Sequence, residues 1–382
     1  MFLQCSAKIL VCRFKNEGFL NQLENISKMG IKNLHQFLRK HCPEAYVVQN
    51  LSAYRYKKLI IDASLYMFKY KTAAGDRWLS CFVSLLAALR RNEIHAIFCF
   101  DNGAPIEKQQ ERENRLESRQ KIRDKADELD KALREFDLNG EIGQCLIDLM
   151  EKSTITKERK LLGNLVSKRD VFDRKTAEDV LRKLQTQSVH ITDEDFSLLR
   201  ELCQIMNIPI VEAPDEAEKK CVELCTAGVV HGVITEDTDV LAYGCPVFLS
   251  KIQYHKSECT ELVIDDILEA LDLSYESFRD FCIMCGTDYN KNIFHVGPEK
   301  AYVLIKQYKN IDAIGEETDH DISILNHVRV RELMTAVPDD THIAFCKVPD
   351  FNKLDHFLFE NNSKVDITGL KKAFEQHDLS FD

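Results

Sequence analysis

Lys57-Lys-Leu-Ile-Ile-Asp62 is a short apolar run that ends in an acid, and it is the first of three such runs. The others are His95-Ala-Ile-Phe-Cys-Phe-Asp101 and Gly228-Val-Val-His-Gly-Val-Ile-Thr-Glu-Asp237. Continuous β-branched and aromatic runs of this length are typical of strands buried on both faces, and helical periods separate them here. The sequence therefore predicts an α/β fold with a mostly parallel central sheet flanked by helices.

Acidic side chains follow the predicted strands. Asp62 and Asp101 close the first two, and Asp237 and Asp239 follow the third. Because the carboxyl ends of parallel strands meet at one edge of the sheet, we expect these four side chains to converge there. So many neighbouring carboxylates would repel one another without a cation, and hard divalent cations prefer oxygen ligands.

Three further acids lie at predicted helix ends: Glu216, Glu218 and Asp288. For the two glutamates alone, a favourable interaction with the helix dipole is the simpler interpretation, since acids are common in the first turn of a helix. Taken with the strand-end acids, however, all seven indicate an oxygen-rich site for divalent metal ions.

The composition limits the class of protein. The chain has 382 residues, 45% hydrophobic and 30% charged, which is typical of a soluble globular protein with one large domain or two ordinary ones. The 51 Lys and Arg against 62 Asp and Glu give a net charge of −11, which by itself argues against binding to nucleic acid. No apolar run is long enough to predict a membrane span.

One segment departs from this acidic balance. Lys108, Arg112, Arg115, Arg119 and Arg123 recur every three or four residues, which places five cations on one face of a predicted helix. Acids intervene between them, so a solvated mixed-charge helix and a phosphate-binding stripe are both compatible with the pattern.

The 14 cysteines show no paired framework, which indicates reduced thiols in an intracellular compartment, nuclear or cytoplasmic. Cys282 and Cys285 have Cys-x-x-Cys spacing, but they lie in an apolar helical run without a second pair, so we interpret them as buried helix residues rather than zinc ligands. Residues 1–28 lack the apolar core of a secretory signal, so secretion is not expected.

Six short motifs occur in order along the chain: Met29-Gly-Ile-Lys-Asn-Leu34, Ile60-Ile-Asp-Ala-Ser64, Phe98-Cys-Phe-Asp-Asn-Gly103, Ala213-Pro-Asp-Glu-Ala-Glu218, Thr235-Glu-Asp-Thr-Asp239 and Gly286-Thr-Asp-Tyr289. In combination they resemble the flap endonuclease and XPG family of structure-specific 5′ nucleases, and the divergent chain also resembles versions of that family encoded by large DNA viruses. Each motif is weak alone, and their ordered combination is specific.

The resemblance implies a PIN-like nuclease core with a helical arch or cap insertion and a helix–three-turn–helix DNA-binding element. The expected division of the chain is an extension at 1–28, an N-terminal nuclease region at 29–105, the arch or cap insertion at 106–190, an internal nuclease region at 191–260, the helix–three-turn–helix region at 261–330 and a C-terminal tail at 331–382.

The activity implied by the resemblance is hydrolysis of phosphodiester bonds in flapped or branched DNA during replication, repair or recombination. It would use two Mg²⁺ ions, for which Mn²⁺ can substitute, and the protein would act as a monomer. A 5′–3′ exonuclease or junction resolvase of the same family remains an alternative. A non-catalytic DNA-binding replication accessory is a third, although that role predicts the loss of metal acids, and none is missing.

Specific residues take roles through the resemblance. The implied metal ligands are Asp62, Asp101, Glu216, Glu218, Asp237, Asp239 and Asp288. Lys108 and Arg115 are the implied catalytic cations at the scissile phosphate. The implied DNA contacts are Phe68, which would stack on a base, Arg112 and Arg119 on the stripe, and Gly297, Lys300 and Lys306 in the helix–three-turn–helix.

The chain also departs from the family pattern. His295 stands where the family commonly has a glycine, and residues 124–190 do not closely resemble its arch. The segment Gln376–Asp382 resembles the start of a sliding-clamp box but lacks its paired aromatic residues, so the sequence leaves clamp binding open. Because the family typically begins at a Met-Gly, we hypothesise that Met29 is the initiator or that 1–28 is a loosely held extension.

Overall fold

A computed structural model of the chain describes residues 30–103, 105–152, 173–363 and 365–375. The predicted extension at 1–28, the hypothesised initiator Met29 and the segment Gln376–Asp382 lie outside the described residues.

The described residues contain a seven-stranded sheet in the order β1-β7-β6-β5-β2-β3-β4. Five neighbouring strands, β6, β5, β2, β3 and β4, run parallel, and β7 is antiparallel to both of its neighbours. The mostly parallel sheet predicted from the apolar runs is therefore confirmed. The strands are β1 Val47–Asn50, β2 Lys58–Asp62, β3 His95–Asp101, β4 Ile210–Ala213, β5 Gly232–Ile234, β6 Val247–Gln253 and β7 Glu258–Val263.

Helices flank the sheet. In chain order they are α1 Leu34–His41, α2 Ala63–Ala74, α3 Trp78–Arg91, α4 Gln109–Asn139, α5 Gln144–Lys152, α6 Arg174–Gln187, α7 Asp193–Ile205, α8 Ala217–Thr226, α9 Asp239–Ala242, α10 Ile264–Leu271, α11 Tyr275–Cys285, α12 Pro298–Tyr308, α13 Ile311–Glu317, α14 His327–Leu333, α15 Phe351–Glu360 and α16 Ile367–Glu375. Within the described ranges, no helix combines the length and apolar character needed to cross a bilayer.

The order of the strands creates a crevice between β2 and β5. The chain proceeds from β2 outward through β3 to β4, then returns to the other side of β2 with β5 and β6. Ile61 of β2 is in register with Ile234 of β5. Asp62 and Thr235, the residues that follow them, are therefore neighbours at the carboxyl ends of these two parallel strands. Such a reversal of direction is where parallel sheets bind ligands, because the loops diverge there.

Alternating side chains of the central strands divide the core into two layers. Leu59 and Ile61 pack on one face of the sheet with α2 and α3, whereas Ile60 packs on the other face with α8 and α11. Cys282 and Cys285 are buried free thiols within α11, which confirms their interpretation as apolar helix residues.

The chain divides into two compact units, residues 110–190 and the remainder. The smaller unit consists mainly of α4, α5 and α6 and has its own apolar cluster, which includes Leu133 and Leu146. The larger unit holds the sheet and also the helices beyond residue 330, for which the sequence showed no strong motif. Phe357 of α15 and Phe374 of α16 complete the apolar layer that contains α3.

A buried ion pair anchors α14 to α11. Asp280 is 2% exposed, and its carboxylate accepts hydrogen bonds from Nε of Arg331 at 2.7 Å and from the backbone N–H of Ile311 at 2.9 Å. Breaking such a pair leaves an uncompensated buried charge.

We therefore expect Arg331→Met to lower the free energy of unfolding by about 3–5 kcal/mol, measured by urea denaturation. The matched control is Arg329→Met on the same helix, because the Arg329 side chain is 48% exposed and pairs with Glu107 at 2.7 Å. A pair with a solvent-exposed guanidinium is screened and contributes far less than a buried one. Equal losses in the two variants would contradict an anchoring role for Asp280.

Candidate active site at the carboxyl edge of the sheet

Asp62 ends β2 and caps the first turn of α2. Its Oδ1 accepts a hydrogen bond from the backbone N–H of Leu65 at 3.1 Å, and its Oδ2 accepts one from Oγ1 of Thr235 at 3.3 Å. The side chain is almost completely buried, and this burial, reinforced by the nearby Asp101 carboxylate, raises the pKa of Asp62 to about 7. The carboxylate is therefore fixed in place but costly to ionise.

Asp101 ends β3 and joins two helices. Its Oδ1 accepts from the backbone N–H of Ala217 at 2.6 Å, at the start of α8, and its Oδ2 accepts from the hydroxyl of Ser64 at the start of α2. Burial raises the pKa of Asp101 despite these two donors. Asp101 thus joins the end of β3 to the starts of α2 and α8.

Glu216 lies at the N-cap of α8 within a buried polar network. Its Oε2 accepts from the hydroxyl of Tyr243 at 3.0 Å and from the hydroxyl of Tyr289, and the two hydroxyl oxygens are 2.6 Å apart. Both tyrosines were missed in the sequence. Tyr289 directly follows Asp288, and Tyr243 lies one helical turn after Asp239, so their spacing from two predicted ligands was the available signal.

The turn from Thr235 to Asp239 is folded by its own side chains. Oγ1 of Thr235 accepts from the backbone N–H of Asp237 at 3.2 Å, and Oδ1 of Asp237 accepts from the backbone N–H of Asp239 at 2.8 Å. Gly30 packs against this turn with a φ of +83°, and a Cβ there would come within 2.3 Å of Oδ1 of Asp237. Only glycine fits this close approach.

Asp239 has an unsatisfied buried oxygen. It is 2% exposed, and among the described residues its Oδ1 has no hydrogen-bond partner. Burial raises the pKa of Asp239 well above its usual range, and repulsion from the Asp237 carboxylate adds to this effect. Such an atom is costly to bury unless a ligand occupies the space before it.

Lys108 places an ammonium group among these acids. It ends a short 3₁₀ turn at Ile106–Lys108, and its Nζ lies 2.5 Å from Oε1 of Glu216 and 3.6 Å from Oδ2 of Asp288. Burial would lower the pKa of Lys108, but the attraction of Glu216 and the other acids outweighs it and raises the pKa well above its usual value. The protonated ammonium is therefore an internal counter-ion for the cluster.

The seven predicted acids influence one another electrostatically. Burial raises the pKa of Glu218 well above its usual range, and repulsion from Asp62, Asp101 and Asp237 adds to this effect. Across the described residues, however, no three of these side chains are already gathered as a group that could hold a metal ion. The donor atoms suit a hard divalent cation, and the cluster holds an excess of negative charge that such a cation would offset.

The predicted DNA contacts within the larger unit lie on different elements. Phe68 is half-buried on α2, and Lys300 is exposed in the first turn of α12, for which Gly297 is the N-cap residue. Lys306 is instead engaged at the end of α10, where its Nζ donates to the backbone oxygen of Asp272 at 3.0 Å and to Oδ2 of Asp272 at 2.5 Å.

The turn before α12 shows how the chain accommodates its departure from the family pattern. His295, which replaces a common glycine, adopts a left-handed φ of +59°. The side-chain amide of Asn292 donates to the backbone oxygen of Val296 at 3.0 Å and so closes the turn.

The cations of the stripe that follow Lys108 belong to the smaller unit. Arg112 is exposed on α4, and Nε of Arg115 donates to Oε1 of Glu111 at 3.1 Å. Arg119 is half-buried, and burial together with the neighbouring Arg115 lowers the pKa of Arg119. Nη2 of Arg123 reaches the backbone oxygen of Ser188 at 3.4 Å.

Comparisons with known proteins identify the family of the chain. The XPG N-terminal domain matches residues 29–122, and the XPG I-region matches residues 207–288. A probable RAD2-like endonuclease of invertebrate iridescent virus 6 is 32% identical over 396 residues, covering 93% of this chain and 94% of that protein. A similar protein of invertebrate iridescent virus 3 is 37% identical over 331 residues, covering 80% and 85%.

Among solved structures, the catalytic core of Rad2 in complex with DNA substrate has the same fold, with a TM-score of 0.60 at 17% identity, covering 90% of this chain and 99% of that one. The extent of the match to the viral relatives, together with the two XPG regions, establishes the family. The chain belongs to the XPG-type flap endonuclease family of DNA endonucleases.

Proposed function

We propose that this chain hydrolyses phosphodiester bonds in flapped or branched DNA at the carboxyl edge of its sheet, with two Mg²⁺ ions as cofactors. The observation that carries the proposal is the electrostatic repulsion among acids at the carboxyl edge of the sheet, of which Asp62 and Asp239 are buried. Asp62, Glu218 and Asp239 all have a raised pKa there, and Oδ1 of Asp239 lacks a partner among the described residues. A site that binds cations explains why such a costly cluster is retained.

By resemblance to the family, the seven acids divide into two groups of ligands, one for each ion. Asp62, Asp101, Glu216 and Glu218 would hold one ion, and Asp237, Asp239 and Asp288 the other. When bound, a pair of such ions activates water, orients the phosphodiester and neutralises the charge that develops during in-line displacement. The carboxylates have no need to act as bases, because their role is to hold the ions.

Lys108 supplies a positive charge at the same place. Its ammonium is protonated and lies between Glu216 and Asp288, so it is held beside the two groups of proposed ligands. A fixed cation in a buried site stabilises negative charge on a phosphate more strongly than one in water. Arg115 is proposed as the second such cation, by resemblance alone.

Binding of duplex DNA is proposed for the start of α12. Gly297 and the first turn of that helix present backbone N–H groups, and Lys300 is exposed beside them. Helix N-termini of this kind bind phosphate without reading sequence. Because Nζ of Lys306 is occupied at the end of α10, we propose only a supporting role for Lys306, in which it fixes α12 against α10.

The alternatives differ in substrate rather than in site. A 5′–3′ exonuclease or junction resolvase would use the same acids, so the site does not distinguish them. A non-catalytic accessory role is disfavoured because the chain retains all seven acids and Lys108.

A panel of end-labelled substrates tests the proposed function. We expect cleavage of flap substrates in Mg²⁺ in preference to nicked, gapped, four-way-junction and single-stranded substrates, and no cleavage in EDTA. Equal cleavage of every structure would contradict structure selectivity, whereas preference for the four-way junction would favour the resolvase.

Asp239→Asn tests the metal role of the unsatisfied carboxylate. The substitution preserves shape but removes the charge, so we expect cleavage in Mg²⁺ to fall on the order of 100-fold or more. Binding of flap DNA in EDTA, measured by fluorescence anisotropy, should be retained. Asp266→Asn, at an exposed acid on α10, is the charge-matched control and should cleave normally. Normal turnover by the Asp239 variant would contradict the assignment.

The raised carboxyl pKa values predict how stability depends on pH. A carboxyl with a raised pKa in the folded protein favours folding below its unfolded pKa, and this contribution is lost as pH rises through the folded value. In EDTA, Asp62 should therefore make the free energy of unfolding fall between about pH 4 and 7, the interval between its unfolded and folded pKa values. His35 and His95, whose pKa values burial lowers to about 4, act in the opposite direction over part of that interval. For a single carboxyl, the expected fall is about 1.4 kcal/mol for each pH step of one across that interval.

Mg²⁺ should reverse this trend, because cation binding favours the ionised carboxylates. Urea denaturation at pH 5 and pH 8, with EDTA or with Mg²⁺, provides the comparison. The comparison is made between the wild type and Asp62→Asn, in which the histidine contributions cancel. An equal change in the free energy of unfolding from pH 5 to pH 8 in the two proteins in EDTA would contradict the buried-carboxylate description.

A further inference from the structure

Behind the acid-bearing turn lies an ion pair that the proposed mechanism does not use. Nζ of Lys69, on α2, is 2.6 Å from Oε1 of Glu236, which follows β5. Their side chains are only 7% and 8% exposed. The two residues are 167 positions apart in the sequence, so the contact exists only in the folded chain.

The same carboxylate oxygen also organises β6. Oε1 of Glu236 accepts a hydrogen bond from the backbone N–H of Lys251 at 3.0 Å. Lys251 has a left-handed φ of +51°, and the pairing of β6 with β7 shifts register between Ser250 and Gln253. A bulge of this kind turns a backbone amide away from the regular ladder, and here it is directed at Glu236.

Glu236 therefore joins three elements at the point where the proposed metal ligands are held. It stands between Thr235, whose hydroxyl donates to Asp62, and Asp237, whose carboxylate accepts from the N–H of Asp239. A shift in the backbone at Glu236 would displace both of its neighbours. The Lys69 ammonium on α2 and the Lys251 amide on β6 both oppose such a shift.

Energetics favour a geometric role for the pair. The cost of removing water from two buried charges is comparable with the attraction between them, so a buried ion pair adds little to stability compared with a well-packed apolar pair. Its specific contribution is directional, because each charge is satisfied only in one arrangement. Acids that repel one another need such a restraint, since repulsion alone would separate them.

We propose that Lys69 and Glu236 are positioning residues, which hold the turn at 235–239 in the arrangement that lets Asp237 and Asp239 bind Mg²⁺. This inference rests on the proposed function. Neither residue contacts the substrate in this proposal; both act through the backbone of the turn.

Lys69→Met tests the inference against Lys71→Met, a matched control. Lys71 lies on the same helix and pairs with Asp195 of α7, with side chains 19% and 11% exposed, so it anchors α2 away from the turn. Two readouts are needed: the thermal midpoint titrated with Mg²⁺ in the absence of DNA, and the Mg²⁺ dependence of flap cleavage.

We expect Lys69→Met to raise the Mg²⁺ concentration that gives half of the maximal response by about 10–100-fold in both readouts. This is the usual consequence of losing a partner that orients metal ligands. The KM for flap DNA should be unchanged, and saturating Mg²⁺ should restore most of kcat. Lys71→Met should lower the thermal midpoint without changing the Mg²⁺ dependence. Lys69→Arg, which keeps the charge, should restore at least part of the metal affinity.

Several outcomes would overturn the inference. A wild-type Mg²⁺ dependence in Lys69→Met would show that the turn needs no such restraint. An equal shift of the Mg²⁺ dependence in Lys71→Met would show that the effect comes from general destabilisation. If Lys69→Met does not fold, Glu236→Gln replaces it, and an unchanged Mg²⁺ dependence there has the same meaning. Absence of both Mg²⁺ binding and cleavage in the wild-type protein would instead overturn the proposed function, and this inference with it.

Discussion

The repulsion among carboxylates gathered at one edge of the sheet is the constraint on which the rest of the structure depends. Asp62 and Asp101 end adjacent parallel strands, and the turn at 235–239 follows the strand on the other side of Asp62. Their burial raises the cost of ionisation, as the pKa values of Asp62 and Asp239 show. The fold must therefore supply compensating positive charge, and Lys108 supplies a full charge placed between two of the acids, Glu216 and Asp288.

Backbone amides at helix starts supply the remaining compensation. Asp62 accepts from the first turn of α2, Asp101 from the start of α8, and Asp237 from the start of α9. The partial positive charge at a helix N-terminus favours an anion there. The same acids consequently fix where three helices begin and form the site, so the local fold and the chemistry cannot be changed independently.

Local patterns predicted much of this arrangement. Apolar runs ending in Asp62, Asp101 and Asp237 are enough to predict a parallel sheet with acids at one edge, because strand direction and side-chain position follow from the chain itself. The helices beyond residue 330 were not predicted, since the apolar face of a helix such as α15 is recognisable only against the layer that it completes.

The partners that orient the acids were missed for a related reason. In the sequence, Glu236 is one of three acids in the motif at 235–239, and nothing distinguishes its role from theirs. Its partner Lys69 lies on a helix without a charge pattern of its own. These contacts join distant segments, and a single sequence contains no signal for them.

The net charge of −11 illustrates why position matters more than total charge. Acids such as Asp62, Asp239 and Glu216 are buried, and their charge is offset locally by amides, by Lys108 and, in the proposed function, by metal ions. Exposed charges interact over only about 8 Å at physiological ionic strength. A phosphate backbone therefore responds to the cations nearest to it, such as Lys300 at the start of α12, rather than to the sum over the chain. An acidic protein can bind DNA on this basis, provided that its acids are enclosed and its cations are exposed.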